Sequence, residues 1–104
     1  MNYKHLHYFW TVLRTGSIAR ASEQLHLTPQ TLSGQIKQLE ERLGKPLLRK
    51  AGRGLEATEA GRMVQRYADE IFTLGSVMQE ALQTGRDGLS QSSFRVGVVD
   101  SVPK

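Results

Sequence analysis

The chain opens with large apolar residues three and four apart: Leu6, Phe9, Trp10 and Leu13 recur at helical spacing between Tyr3 and Thr15, and Gly16 ends the pattern. This predicts a first helix. Ser17 then supplies an N-cap hydroxyl, and Ile18, Ala21 and Leu25 line one face of a short second helix. His26-Leu27 leaves only a tight link before Thr28, a second N-cap, and Pro29, whose missing N–H is harmless at the first helical position. Leu32, Ile36, Leu39 and Leu43 form an apolar stripe that stops at Gly44, so a third helix is expected from about Pro29 to Leu43.

Beyond Pro46 the period changes. Leu47-Leu48-Arg49-Lys50 and Leu55-Glu56-Ala57 read as two very short strands, and Gly52 and Gly54 bracket Arg53 at the hairpin tip between them. Thr58 caps a fourth helix whose first turn holds Glu59, a charge that suits the helix dipole. Ala60, Val64, Tyr67, Ile71, Leu74, Met78 and Ala81 then follow at alternating steps of four and three, which is a heptad seam, and Met63, Phe72 and Leu82 widen it. At 1.5 Å per residue such a helix extends about 40 Å, more than a three-helix module can cover, so the seam calls for a second chain beyond its near end. A helix buried within its own core is the plainer alternative.

Gly85 to Ser93 is a polar Gly/Ser linker, and Phe94-Arg95-Val96-Gly97-Val98-Val99 alternates like a strand. One strand does not fold alone, so the chain is expected to stop just inside a second domain that begins with a strand. The fold class is mainly α: a winged helix-turn-helix over 1–57, with a three-helix core and a short β-hairpin wing, followed by a long dimerisation helix over 58–84. A flexible linker over 85–93 and the first strand of a further domain over 94–104 complete the division.

Charge changes this picture from a small helical domain to one with a preferred partner. The net charge is +4, but residues 1 to 54 hold nine Lys/Arg against three acids, whereas residues 55 to 104 hold five against seven. A polyanion would meet the first half. The outward positions of the third helix, Gln30, Thr31, Ser33, Gly34, Gln35, Lys37 and Gln38, contain no carboxylate, and none occurs before Glu40. An ordinary solvent face alternates Glu with Lys; amides and hydroxyls suit the edges of bases, where Gln pairs with adenine and Ser or Thr donates or accepts. Gly34 in mid-helix costs about 1 kcal/mol against Ala, so it is either a tolerated defect or a place of close backbone approach. Arg53 at the hairpin tip is suited to phosphate or to a narrow minor groove.

Other functions fit less well. The carboxylates are scattered, no Ser/His/Asp set is evident, and His5 and His7, two apart on a helix, point in different directions, while His26 stands apart. An enzyme and a histidine metal site are therefore disfavoured. No cysteine is present, which removes disulfides and thiolate zinc sites, and no apolar run is long enough to cross a bilayer. A cytoplasmic protein is expected, without a membrane partner. A protein-interaction module whose basic face binds an acidic partner is the rival reading, separable from DNA recognition by the salt dependence of binding to duplex.

From Leu6 to Gly61 the chain resembles the DNA-binding domain of the LysR-type transcriptional regulators. The resemblance rests on Phe9, Gly16-Ser17, Ala21, Leu25, Ser33, Ile36, Leu39-Glu40, Leu43-Gly44, Leu47 and Thr58 with Gly61 in register. It implies double-stranded DNA as partner, a homodimer that in the full-length protein can become a tetramer, and no cofactor in this part of the chain. An unknown small effector would act on a C-terminal domain. Matching positions imply base contacts from Gln30, Thr31, Ser33, Gly34 and Lys37. Contact to phosphate is implied for Ser17 and to the minor groove for Arg53; Arg20, Thr28, Arg49 and Lys50 are expected to join them at the DNA backbone, and the heptad seam predicts dimerisation through Val64, Tyr67, Ile71, Leu74, Met78 and Ala81. The sequence departs from the family pattern in its Pro29-Gln30 order, in Ser22 where a second Ala is common, and in Gly34 and Lys50 where Arg is frequent.

Overall fold

A computed structural model describes residues 1–84. The expected linker over 85–93 and strand over 94–104 lie outside the described residues. Within them the order is α1 (Tyr3–Thr15), α2 (Ile18–Leu25), α3 (Pro29–Leu43), β1 (Leu48–Ala51), β2 (Gly54–Ala57) and α4 (Glu59–Thr84). Contacts divide the chain into one unit from Met1 to Glu70 and a second that begins at Ile71.

Local chemistry starts each helix where the sequence places it. Asn2 accepts from the N–H groups of Lys4 and His5, Ser17 Oγ from Arg20 N–H, Thr28 Oγ1 from Thr31 N–H and Thr58 Oγ1 from Gly61 N–H. Each bond satisfies an N–H that the helix itself leaves unpaired. The α2–α3 turn ends α2 with His26 in the left-handed region, φ 58°, while His26 N–H and Leu27 N–H donate back to the carbonyls of Glu23 and Ser22. That pair of reversed bonds closes α2 in a Schellman pattern and brings Thr28 at once into position to start α3.

The three helices meet in a core of Leu6, Phe9, Val12, Ala21, Leu32, Ile36 and Leu39, to which Leu47 adds its side chain from the connection after α3. Thr11, buried among them, satisfies its hydroxyl by donating to the His7 carbonyl at 2.8 Å. Leu43, expected in the apolar stripe, is 39% exposed, because it stands in the last turn of α3. Gln35, expected outward, sits on the flank of the buried stripe, half-buried, with its Oε1 buried and unpaired.

The hairpin pairs Leu48 with Ala57, Arg49 with Glu56, Lys50 with Leu55 and Ala51 with Gly54. It is therefore shifted from the expected strands: Leu47 is core, and Ala51 and Gly54 belong to the ladder. Only Gly52 and Arg53 form the turn, with φ +60° at Gly52. Positive φ at the first central residue is the requirement of a type II′ hairpin, which a glycine meets without a Cβ penalty.

The connection between α3 and β1 is held from two sides. Glu40 Oε2 accepts from Leu47 N–H at 2.7 Å and Leu48 N–H at 3.2 Å. The Leu47 carbonyl accepts from Thr58 N–H at 3.0 Å, and Thr58 Oγ1 donates to the Pro46 carbonyl at 2.7 Å. Gly61, buried in the first turn of α4, rests on that Leu47 carbonyl so closely that a Cβ would collide with it. Further along the same face Ala68 is fully buried. Trp10 Nε1–H donates to Asp69 at 2.6 Å, which ties α1 to α4 within the first unit.

The other side of α4 is open. Met63 and Tyr67 are exposed in the first unit; in the second, taken by itself, Leu74, Val77, Met78 and Leu82 are exposed, Leu82 to 74%. Phe72, expected to widen the seam, is half-buried.

Backbone contact at Gly61 gives a direct test of this packing. Gly61→Ala should destabilise the domain by about 1–3 kcal/mol, since the added methyl meets a carbonyl that is itself hydrogen-bonded and cannot retreat. Urea unfolding would show a lower midpoint at an unchanged slope.

Candidate nucleic-acid interface

α3 is fixed by its buried leucines and isoleucine, so its opposite side is determined: Gln30, Thr31, Ser33, Gly34, Lys37 and Gln38 are all exposed. Glu40, where the sequence marks the first carboxylate, is turned to the Leu47 and Leu48 N–H groups. The outward face is thus free of negative charge until Glu41, in the last turns of the helix. Thr28 caps α3 and also donates its hydroxyl to Thr31 Oγ1 at 2.9 Å, which orders the first-turn side chain beside Gln30.

Beside this face lies an open groove of about 820 Å³, walled by the start of α2, by α3 and by the wing. Its polar lining includes Ser17, Ser33, Lys37, Lys50 and Arg53, and Ile36, Leu48 and Leu55 contribute apolar surface. Glu40 is the acid in this lining, and its carboxylate already accepts two backbone N–H groups. Three cations therefore face the groove against one occupied anion. The first turn of α2 adds the partial positive charge of a helix N-terminus, at which Ser17 both caps and lines the wall. Such a surface attracts a polyanion and offers hydroxyl, amide and ammonium groups to it at defined positions.

Of the residues singled out in the sequence, Ser17, Ser33, Lys37, Lys50 and Arg53 come together around the groove, with Gln30, Thr31 and Gly34 exposed on the same helix that forms its wall. Arg20 and Thr28 are exposed but do not line it. Arg49 behaves differently: its Nε binds Glu56 at 2.6 Å, its cross-strand partner, so part of its charge is spent inside the wing. The apolar wall of Ile36, Leu48 and Leu55 carried no functional signal in the sequence, because core and groove residues share one composition. Gly34 has open space around its missing side chain, so nothing inside the molecule requires a glycine there.

The described residues contain no cluster of His, Cys, Asp or Glu fit to hold a metal ion, and no described helix is long and apolar enough to cross a membrane.

Residues 3–62 match the family model described as the bacterial regulatory helix-turn-helix protein, lysR family. The chain belongs to the LysR family. Among its relatives, the transcriptional activator protein NhaR of Escherichia coli is 48% identical over 104 residues, the whole of this chain and 34% of that protein. The RuBisCO operon transcriptional regulator of Allochromatium vinosum is 36% identical over 99 residues, 95% of this chain and 32% of its own length. The chain thus spans about a third of the length of these curated relatives. In shape it is similar to the BenM DNA-binding domain in complex with benA site 1 DNA, with TM-score 0.73 and 31% identity over 81% of this chain and 98% of that one. A complex of the CbnR DNA-binding domain with DNA gives TM-score 0.70 and 30% identity over 82% of this chain and 98% of that one.

Gly34 gives two opposed expectations that one substitution separates. Gly34→Ala should raise stability by about 1 kcal/mol, because a mid-helix glycine is replaced where a Cβ has room. The same variant should bind duplex DNA more weakly if the bare backbone serves close approach; a thermal melt and a DNA titration read the two effects independently.

Proposed function

We propose that this chain binds double-stranded DNA sequence-specifically as the reading end of a LysR-type transcriptional regulator, and that it does so as a homodimer. The observation that carries the reading is the groove in which Ser17, Ser33, Lys37, Lys50 and Arg53 converge beside an acid-free helix face. α3 enters the major groove, with Gln30, Thr31, Ser33, Gly34 and Lys37 toward base edges. Ser17, Arg20, Thr28 and Lys50 meet phosphates, Arg53 follows the wing into the minor groove, and Arg49 contributes to the backbone contacts what its pairing with Glu56 leaves available. Binding is the activity, and no chemical step or cofactor enters it.

Two copies join through α4. Support comes from the exposure of Tyr67, Ile71, Leu74 and Met78 in the single chain, apolar surface that a second α4 would cover, with Val64 and Ala81 at the ends of the same seam. A sensing domain beyond this stretch would take a small effector and pass its state to the DNA-bound part in the cytoplasm, with tetramers formed by the full-length chain. The relatives named above as a transcriptional activator and an operon regulator fit that role.

Selection of bound duplexes from a random pool, read by sequencing, tests this function: a two-fold motif with half-sites at helical spacing is expected, and recovery of unrelated duplexes would refute it. On the selected site, Gln30→Ala should cost about 1–3 kcal/mol at one base position, whereas Arg53→Ala should weaken all duplexes and lower the salt slope by about one.

Ile71→Asp places a charge in the proposed seam and should convert dimers to monomers by light scattering; dimers that persist would place the seam elsewhere.

A further inference from the structure

The outer face of α4 is the proposed dimer seam, yet the inner face that seats the helix on the body is made by residues with little shape of their own. Gly61 and Ala68, seven apart and thus on one side of the helix, are its buried members in the first unit. A contact through a glycine and an alanine allows close approach, but beyond the first turn, which Leu47 and Thr58 hold, it gives no ridge against roll about the helix axis. Tyr67, in the seam, and Asp69 are two positions apart, so they project about 200° from each other at about 100° per residue. Asp69 therefore stands on the flank of the packed face farthest from the seam. There it accepts the Trp10 indole N–H at 2.6 Å.

Trp10 is itself held in place. The Arg14 guanidinium lies over its ring at 4.7 Å, and the His7 ring packs against it at 5.6 Å. His7, Trp10 and Arg14 are spaced three and four apart on α1, so the indole is fixed by its own helix before it reaches across to α4. α1 is in turn fixed by Leu6, Phe9 and Val12 in the core. A rigid donor on the body meets an acceptor on the flank of α4 about two turns beyond the clamp that Leu47, Thr58 and Gly61 form at its start, and the bond sets the direction in which Val64 and Tyr67 present the seam.

We propose that Trp10 and Asp69 are positioning residues that set which separation of DNA half-sites the dimer accepts. The inference rests on the dimer reading given above. Successive base pairs turn by about 35°, so the rotational relation of two reading helices decides whether both can engage at once. A seam fixed in roll makes that relation single-valued; a seam free to roll lets the dimer follow several separations, with less affinity for the best one.

The test compares the 104-residue chain with Trp10→Phe, Asp69→Ala and Asp69→Asn on three duplexes: a single half-site, the selected two-fold site, and the same site with one base pair inserted between the halves. Trp10→Phe keeps the ring and removes the donor, Asp69→Ala removes the acceptor, and Asp69→Asn keeps an acceptor oxygen. For the parent chain, the insertion should cost about tenfold or more in affinity, because the two sites no longer engage together. Trp10→Phe and Asp69→Ala should bind the single half-site within about twofold of the parent but lose less than about threefold on insertion. Asp69→Asn should keep the parent's profile. Since Trp10 is the single tryptophan of the chain, Asp69→Ala should also shift its fluorescence, whereas Asp69→Asn should shift it less.

Spacing profiles in Trp10→Phe and Asp69→Ala equal to the parent's would overturn the proposal. So would a fall in half-site binding that matches the fall on the two-fold site, because the pair would then act only on the stability of the body. A parent chain that is monomeric and indifferent to the insertion would instead refute the dimer reading, and the proposal with it.

Discussion

Two peptide N–H groups, those of Leu47 and Leu48, end on one carboxylate oxygen of Glu40, and this contact decides where the two walls of the groove stand. The Glu40 carbonyl accepts from Gly44 and Lys45 as α3 closes, and its side chain reaches past that closure to the strand that follows. One residue therefore fixes both the end of the reading helix and the base of the wing. From the other side the Leu47 carbonyl is taken by Thr58 N–H and pressed by Gly61, so α4 starts from the same point. Hydrogen bonds to a charged acceptor contribute about 1.5–3 kcal/mol each, a sizeable part of the margin that holds a small domain together. The consequence is positional as much as energetic: helix, hairpin and α4 cannot move independently while Leu47 is held.

Much of this architecture is legible in the sequence because it is local. Ser17, Thr28 and Thr58 each act within three residues of themselves, and the apolar spacing of Leu32, Ile36 and Leu39 states which side of α3 is buried. What escapes is chemistry between residues that no period connects. Glu40 looks like the start of a charged face until Leu47, seven residues on, claims it. Arg49 looks like a free cation until the hairpin register sets Glu56 opposite it, and Trp10 gives no sign of a partner 59 positions away. Gln35 and Leu43 are misread for a simpler reason: a stripe has flanks and ends, and spacing alone does not say where the neighbouring helix stops.

α4 shows the same limit in another form. Its heptad of large residues is conspicuous, and it reads as the face that packs. The buried residues of the helix are others. Gly61 and Ala68 seat it on the body through backbone proximity, and small side chains leave no mark in a search for apolar bulk, while Tyr67, Leu74 and Met78 remain open. Small residues inward and large ones outward is the reverse of a helix stabilised within its own domain. On the proposed reading a second chain covers the open face, since exposed apolar area of this kind is costly to leave in water.

The candidate site joins a clamped helix to a short hairpin tip. α3 is clamped by three buried side chains and by Glu40, which fixes the aim of Gln30, Thr31 and Ser33, the side chains that on the proposed reading meet base edges; a misaimed hydrogen bond is worth little. The tip of the wing is a two-residue turn, and Arg53 on it carries a charge whose attraction needs proximity more than direction. On the proposed reading, discrimination among sequences comes from the clamped helix and attraction to any duplex comes from the charge at the wing tip. The two meet at Leu47: its bonds to Glu40 and Thr58 hold the wing at one place beside α3, so a charge that attracts any duplex and a helix that reads bases would reach the DNA together on the proposed reading.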